Sequence, residues 1–174
     1  MRRPTTPTPL FICYANCCRS VLAKYLYEHL FPGTHALSAG IAAGGEINDR
    51  ASAMLQHWGI DAGGHKPRQL DPALCDEADA IFLMGPEYLR RMLESYGEDL
   101  AAKAYLFADP FTMPRSFSNG EYLVYDPSFE KRPIPDLANE FSWFRERIVQ
   151  IHEALCNGRR KLVPAARYLD ILNG

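Results

Sequence analysis

The chain has 174 residues, 47% of them hydrophobic and 23% charged, with a formal net charge of −2. That length suits one α/β domain with its own core, and a near-neutral charge gives no reason to expect a nucleic-acid or membrane partner. No apolar run is long enough to span a bilayer, and the odd count of 5 cysteines without framework spacing points to reduced thiols in a cytoplasmic protein.

Met1 to Pro9 carries arginines, threonines and prolines and reads as a short flexible arm over residues 1–9. Leu10-Phe11-Ile12 is an apolar strand that stops at Cys13. A helix follows from Arg19 to Leu30, with Leu22, Tyr25, Leu26 and Leu30 at helical spacing. Pro32-Gly33 turns the chain, and His35 to Ser38 is a second short strand ending at Ser38-Ala39-Gly40. After a glycine-rich loop, Asn48 or Asp49 caps a helix that runs through Trp58 and ends at Gly59. Asp71-Pro72 starts another helix, with the cap followed by proline at the first helical position.

Ala80-Ile81-Phe82-Leu83-Met84 is the continuous apolar run of a central parallel strand. Pro86 opens a helix to about Tyr96, and Ala104 to Phe107 is a fourth strand. Residues 108–135 form a long loop rich in proline, glycine and aromatics, a length that signals function or disorder. The last long helix is predicted from about Asp136 to Cys156, with Leu137, Phe141, Phe144, Ile148, Ile151 and Leu155 as its apolar stripe. Cys75 and Cys156, both in predicted helices, are expected in the core. Residues 158–174 make a tail with room for a short helix. The alternation predicts a single α/β domain over residues 10–157, a four-stranded parallel sheet with helices on both faces, Rossmann-like. Ligands of such sheets sit at the carboxyl ends of the strands, and Cys13 stands at one.

Cys13 and Arg19 bracket a Cys-x5-Arg loop between strand and helix. The N–H groups of residues 14 to 19 can point into that loop as an anion nest at a helix N-terminus. The guanidinium of Arg19 can clamp two oxygens of a phosphate. A thiol in so positive a loop is favoured as the thiolate that phosphoryl transfer through sulfur needs. The plainer alternative is a structural Cys13 that ends a core strand, with Arg19 on a solvated helix face. A zinc site is not expected, because Cys13, Cys17 and Cys18 crowd one loop and no paired His or Cys set follows.

The segment Cys13-Tyr14-Ala15-Asn16-Cys17-Cys18-Arg19-Ser20-Val21 resembles the loop of the low-molecular-weight protein tyrosine phosphatases, typically Cys-x-Gly-Asn-x-Cys-Arg-Ser-Pro. Ser38-Ala39-Gly40, Gly59-Ile60-Asp61, the stretch from His65 to Leu70, Asp79 and Met84 around the apolar strand, and a late Asp126-Pro127 follow in the family's order. The resemblance implies that Cys13 is the nucleophile and Arg19 the phosphate clamp, and that Asp126 protonates the leaving oxygen and then activates water. It implies that Tyr14, Ala15, Asn16, Cys17, Cys18 and Arg19 surround the phosphate, with Phe129 at the substrate. Asn16 would hold a left-handed backbone angle, and Asn16, Ser20, Ser38 and His65 would form a hydrogen-bond network beneath the loop. No cofactor or metal is implied, because loop amides and Arg19 supply the charge stabilisation. The ligands implied are a phosphorylated protein or small phosphomonoester, with phosphate or sulfate able to occupy the loop. Cys18 stands where it could trap an oxidised Cys13 as a disulfide.

The sequence also departs from the family's pattern. Ala15 replaces a glycine, which matters if that position needs a positive backbone angle. Tyr14 and Cys17 are unusual loop side chains, and Val21 replaces proline. Gly85 stands where the family often has aspartate. Ser128 and Phe129 replace paired tyrosines, leaving Phe129, Phe111, Phe117 and Tyr125 as candidates for an aromatic wall. Asp109-Pro110 competes with Asp126-Pro127 as the acid, though it lies early relative to Cys13. Three other functions stay open: an arsenate reductase of the same fold, a phosphoarginine phosphatase, and a catalytically weak phosphate-binding module. The reductase needs resolving cysteines after the central strand, where the chain reads Met84-Gly85-Pro86-Glu87-Tyr88.

Overall fold

The computed structural model describes residues 6–108, 124, 126–159 and 162–168. Strands β1 (Pro9–Cys13), β2 (Leu37–Gly40), β3 (Ala80–Leu83) and β4 (Ala104–Leu106) form one parallel sheet in the order β2-β1-β3-β4. Every residue of these strands is buried. Burial on both faces explains why the strands read as continuous apolar runs rather than as alternating ones. Phe11 anchors the centre of the sheet, 5.7 Å from Phe82 and 6.1 Å from both Tyr27 and Phe107, ring centre to ring centre.

Helix α1 (Arg19–Leu30) returns the chain from β1 to β2 and packs on both strands. Helix α2 (Asp49–His57) is capped by Asn48, whose side chain accepts from the N–H of Arg50 at 2.9 Å. Helix α3 (Pro72–Glu77) is capped by Asp71, which accepts from Leu74 N–H at 2.8 Å. Helix α4 (Glu87–Tyr96) lies between β3 and β4 in the chain. Because β2 and β3 flank β1 on opposite sides, right-handed crossovers place α1 and α3 on opposite faces of the sheet. The chain thus reverses direction across the sheet at the carboxyl ends of β1 and β3, which opens a crevice there.

The structure corrects the sequence reading of the elements at three places, the first being the second strand, expected at His35 to Ser38 and found at Leu37–Gly40. The single helix expected from about Asp136 to Cys156 is two helices, α5 (Ile134–Glu140) and α6 (Ser142–Cys156). They part at Phe141, whose ψ of 10° leaves the helical range while its ring stays fully buried. The break lets α5 pack on α2 and α6 on α1, and all the predicted stripe residues remain buried. Cys156 is exposed rather than in the core, because it is the last residue of α6, just beyond the buried Leu155. Its sulfur lies 3.7 Å from His152 Nε2. Cys75 is buried, and that burial pushes its thiol up to about 11.

In the tail, Ala165–Tyr168 forms one 3-10 turn, and Pro164 bridges to Tyr105 at the edge strand β4. Asp109-Pro110, Phe111, Phe117 and Tyr125 lie outside the described residues. No helix among the described residues is long and apolar enough to cross a membrane.

Candidate active site

The loop between β1 and α1 is held by its carbonyls. Cys13 O accepts from Ile41 N–H at 3.1 Å, Tyr14 O from Ala42 at 2.9 Å, and Ala15 O from Gly44 at 3.3 Å. Cys17 O accepts from Asn48 N–H at 2.8 Å and Cys18 O from Leu22 at 2.9 Å. Asn16 O takes the remaining bond, from His65 Nε2 at 2.9 Å. All the carbonyls from 13 to 18 therefore point outward and are satisfied. Among the described residues no backbone carbonyl accepts from the N–H groups of residues 14 to 18. A ring of inward N–H groups at the start of a helix is a binding site for a multiply charged oxyanion.

Asn16 is the hub that makes this shape possible. It is fully buried with φ of 56°, a left-handed angle that asparagine tolerates. Its Oδ1 accepts from Arg68 N–H at 2.9 Å, which orients the amide so that Nδ2 donates to Ser20 Oγ at 2.9 Å. With one lone pair of Ser20 so occupied, its hydroxyl proton is available to Cys13 Sγ, 2.9 Å away. This chain of bonds hands a donor to the sulfur. Burial holds His65 below its ordinary value, and the bond to a carbonyl requires a proton on Nε2. Ser38 is buried in β2 but makes no side-chain bond to Asn16, Ser20 or His65. Ala15 has no positive φ, so replacing the family's glycine leaves no backbone strain there.

Gly40, at the end of β2, explains the Ser-Ala-Gly turn. A Cβ on it would stand 2.7 Å from Tyr14 O and 2.8 Å from both Ala15 C and Asn16 N. These are backbone atoms and cannot swing away. Gly40→Ala is expected to displace the loop and destabilise the fold by about 1–3 kcal/mol, seen as a lower urea midpoint with weakened binding of inorganic phosphate. An unchanged midpoint and unchanged affinity would mean the loop is not built against β2.

Arg19 begins α1 and is 6% exposed. Its Nη1 donates to Val124 O at 3.2 Å and its Nη2 to Tyr88 Oη at 3.2 Å. Nη2 also pairs with Asp126 Oδ2 at 3.1 Å. The buried Nε has no partner among the described residues. Burial opposes the charge of Arg19, but Asp126, Tyr88 and Cys13 outweigh it and raise its affinity for the proton. Val124 is itself tied to the sheet, its N–H donating to Met84 O at 2.9 Å just past β3. Asp126 caps the 3-10 turn Pro127–Phe129, its Oδ1 accepting from Ser128 N–H at 3.0 Å. Phe129 on that turn is 87% exposed and Tyr14 on the loop 49%, the exposed large hydrophobic side chains among the described residues.

Cys17 and Cys18 differ in setting. Cys18 is buried at the start of α1, and burial, then Asp126 and Cys13, push its thiol well up. Cys17 is partly exposed and raised more modestly, by burial and then by Cys13. Cys13, Arg19 and Asp126 thus meet in one crevice, with Asn16, Ser20 and His65 behind the loop. Sequence reading missed Tyr88 and Val124. The one local sign was Gly85, which lacks a side chain just where α4 is about to begin.

A buried cysteine that ends a central strand, a loop whose carbonyls are all engaged elsewhere, and a buried arginine paired with an aspartate are the parts of a cysteine-based oxyanion site on a parallel α/β sheet. Residues 9–157 match the family described as low molecular weight phosphotyrosine protein phosphatase, and the chain belongs to that family. It is similar to the probable low molecular weight protein-tyrosine-phosphatase EpsP of Ralstonia nicotianae, 38% identical over 79 residues, covering 44% of this chain and 54% of that one. It is also similar to a protein-arginine-phosphatase of Geobacillus stearothermophilus, 34% identical over 92 residues, covering 51% and 62%. These sequence matches span little more than half the length of the curated relatives. Among solved structures, the YwlE arginine phosphatase of Geobacillus stearothermophilus superposes with a TM-score of 0.69 at 26% identity, covering 88% of this chain and 95% of that one.

Proposed function

We propose that the chain is a phosphomonoester hydrolase acting on protein phosphotyrosine through a phosphocysteine intermediate. The observation that carries this reading is the loop itself. Its carbonyls are all satisfied away from its N–H groups, and it carries Cys13 at one end and at the other Arg19, whose buried Nε has no partner among the described residues. In the first step Cys13 sulfur attacks phosphorus while Asp126 gives its proton to the leaving oxygen. In the second, Asp126 takes a proton from water, which attacks phosphorus and returns Cys13 as thiolate. The loop amides and Arg19 stabilise the equatorial oxygens in both steps, so no metal is required for charge compensation.

Before an oxyanion enters, Asp126 is paired with Arg19. Phosphate binding replaces the carboxylate at the guanidinium and releases Asp126 toward the leaving group, where it takes up from the incoming phosphate monoanion the proton that it then gives to the leaving oxygen. Exposed Tyr14 and Phe129 offer apolar surface on the two segments that carry the nucleophile and the acid. The catalytic unit proposed is residues 10–157, in a reducing, cytoplasmic setting that keeps Cys13 as a thiol.

Phosphoarginine hydrolysis is the second reading, favoured by the similarity to an arginine phosphatase in both sequence and structure. Arsenate reduction is disfavoured, since the cysteine that follows β3, Cys156, lies at the end of α6 beside His152. The test is to compare kcat/KM on matched phosphotyrosine and phosphoarginine peptides. The primary reading expects the phosphotyrosine peptide to be the better substrate. A reversed preference would move the assignment to phosphoarginine, and turnover of neither peptide nor para-nitrophenyl phosphate would sink the hydrolase reading.

A further inference from the structure

We propose that Tyr88 is a positioning residue for Arg19, holding the guanidinium in the orientation that receives the phosphoryl group. This rests on the hydrolase reading above. Arg19 has five N–H donors in a rigid plane. One on Nη2 goes to Tyr88 Oη at 3.2 Å and one on Nη1 to Val124 O at 3.2 Å, while Asp126 Oδ2 stands 3.1 Å from Nη2 as an ion-pair partner. Nε and Nη2 share one edge of the plane, so an oxyanion taken bidentately on that edge meets the two oxygens that now face Nη2. One of its two partners must yield.

The surroundings decide which. Asp126 sits on a short 3-10 turn with its side chain 30% exposed, and its proposed work lies at the leaving oxygen, away from the guanidinium. Tyr88 is 5% exposed on α4, in the first turn after Gly85 and Pro86, with its N–H bonded back to Gly85 O at 3.3 Å. Tyr88 therefore stays and Asp126 leaves. Burial pushes the phenol of Tyr88 up to about 12, against the pull of Arg19, so it is a neutral acceptor throughout the working range and never competes as an anion. Without its hydroxyl, Nη2 keeps only Asp126. The arginine is then less well oriented before substrate binds and more strongly held by the group that must release it.

The experiment compares wild type with Tyr88→Phe, which keeps the ring and removes only the hydroxyl. Three quantities are read: the Kd of inorganic phosphate by calorimetry, KM and kcat for para-nitrophenyl phosphate from pH 5 to 8, and Tm. The expected result is a phosphate Kd and a KM both raised about three- to tenfold, kcat within about twofold, an unshifted pH profile, and a nearly unchanged Tm. An unchanged phosphate Kd overturns the proposal. So does a fall of Tm and kcat together at constant KM, which would make Tyr88 a packing residue only. If wild type binds phosphate but turns nothing over, the hydrolase reading fails while the Kd comparison still decides the role of Tyr88. If wild type binds no phosphate, both fall.

Discussion

Cys13→Ser is expected to lower kcat for para-nitrophenyl phosphate by about a thousandfold or more, with inorganic phosphate still bound. A thiolate attacks phosphorus unaided, whereas a serine hydroxyl needs a base to remove its proton. The described hydrogen-bond partner of the Cys13 sulfur is Ser20, itself held by Asn16, and a hydroxyl is no base. Binding survives because it comes from the loop N–H groups and Arg19, which the substitution does not touch. The check is steady-state turnover beside phosphate calorimetry on both proteins. Turnover by the serine variant within tenfold of wild type would mean that sulfur is not the attacking atom.

The second large effect belongs to Asp126→Ala, and it has two opposite parts. Loss of the general acid lowers kcat by about 10²–10⁴-fold. The fall is steeper for phenyl phosphate than for para-nitrophenyl phosphate, because nitrophenolate departs without a proton and phenolate does not. Phosphate affinity moves the other way, rising by up to about fivefold. The alanine frees Nη2 of Arg19 from the pairing at 3.1 Å and removes a carboxylate from beside the anion. Equal losses on the two leaving groups would place the acid elsewhere, Asp109 being the sequence's other candidate. Weakened phosphate binding would show that Asp126 supports Arg19 instead of competing for it.

The strand, loop and helix that carry Cys13 and Arg19 were legible because their signals are local. An apolar run stops at a cysteine, and a helical apolar stripe follows with an arginine at its start. Strands β1, β3 and β4 were legible for the same reason, each being a short apolar run, whereas β2 was expected two residues early, at His35 to Ser38, and forms at Leu37–Gly40. What stayed hidden depends on distant parts of the chain meeting. Gly40 was visible as a glycine, but its need to lack a Cβ comes from the backbone of Tyr14 to Asn16 passing against β2. Tyr88 reads only as a residue of the helix opened by Pro86, and only the docking of α4 beyond β3 brings its hydroxyl to Arg19. Val124, in the long loop, contributes through its backbone, which no side-chain pattern reveals.

Periodicity also misled where it continued past a change in structure. The stripe from Leu137 to Leu155 keeps its spacing through Phe141, so two helices read as one. Cys156 follows that stripe by one residue and falls off its buried face at the helix end. Ser38 is where the family resemblance led furthest from the side-chain geometry, since Asn16, Ser20 and His65 bond to one another or to the loop without it.

The central claim is that phosphate passes through sulfur. Its most direct test is to mix Asp126→Ala with para-nitrophenyl phosphate, quench in acid, and locate the phosphoryl group by fragmentation mass spectrometry. With the base for the second step removed, the phosphoenzyme is expected to accumulate, with the phosphoryl group on Cys13 and on neither Cys17 nor Cys18. Turnover by wild type with no phosphoenzyme in either protein, or a phosphoryl group on any other residue, would contradict the account.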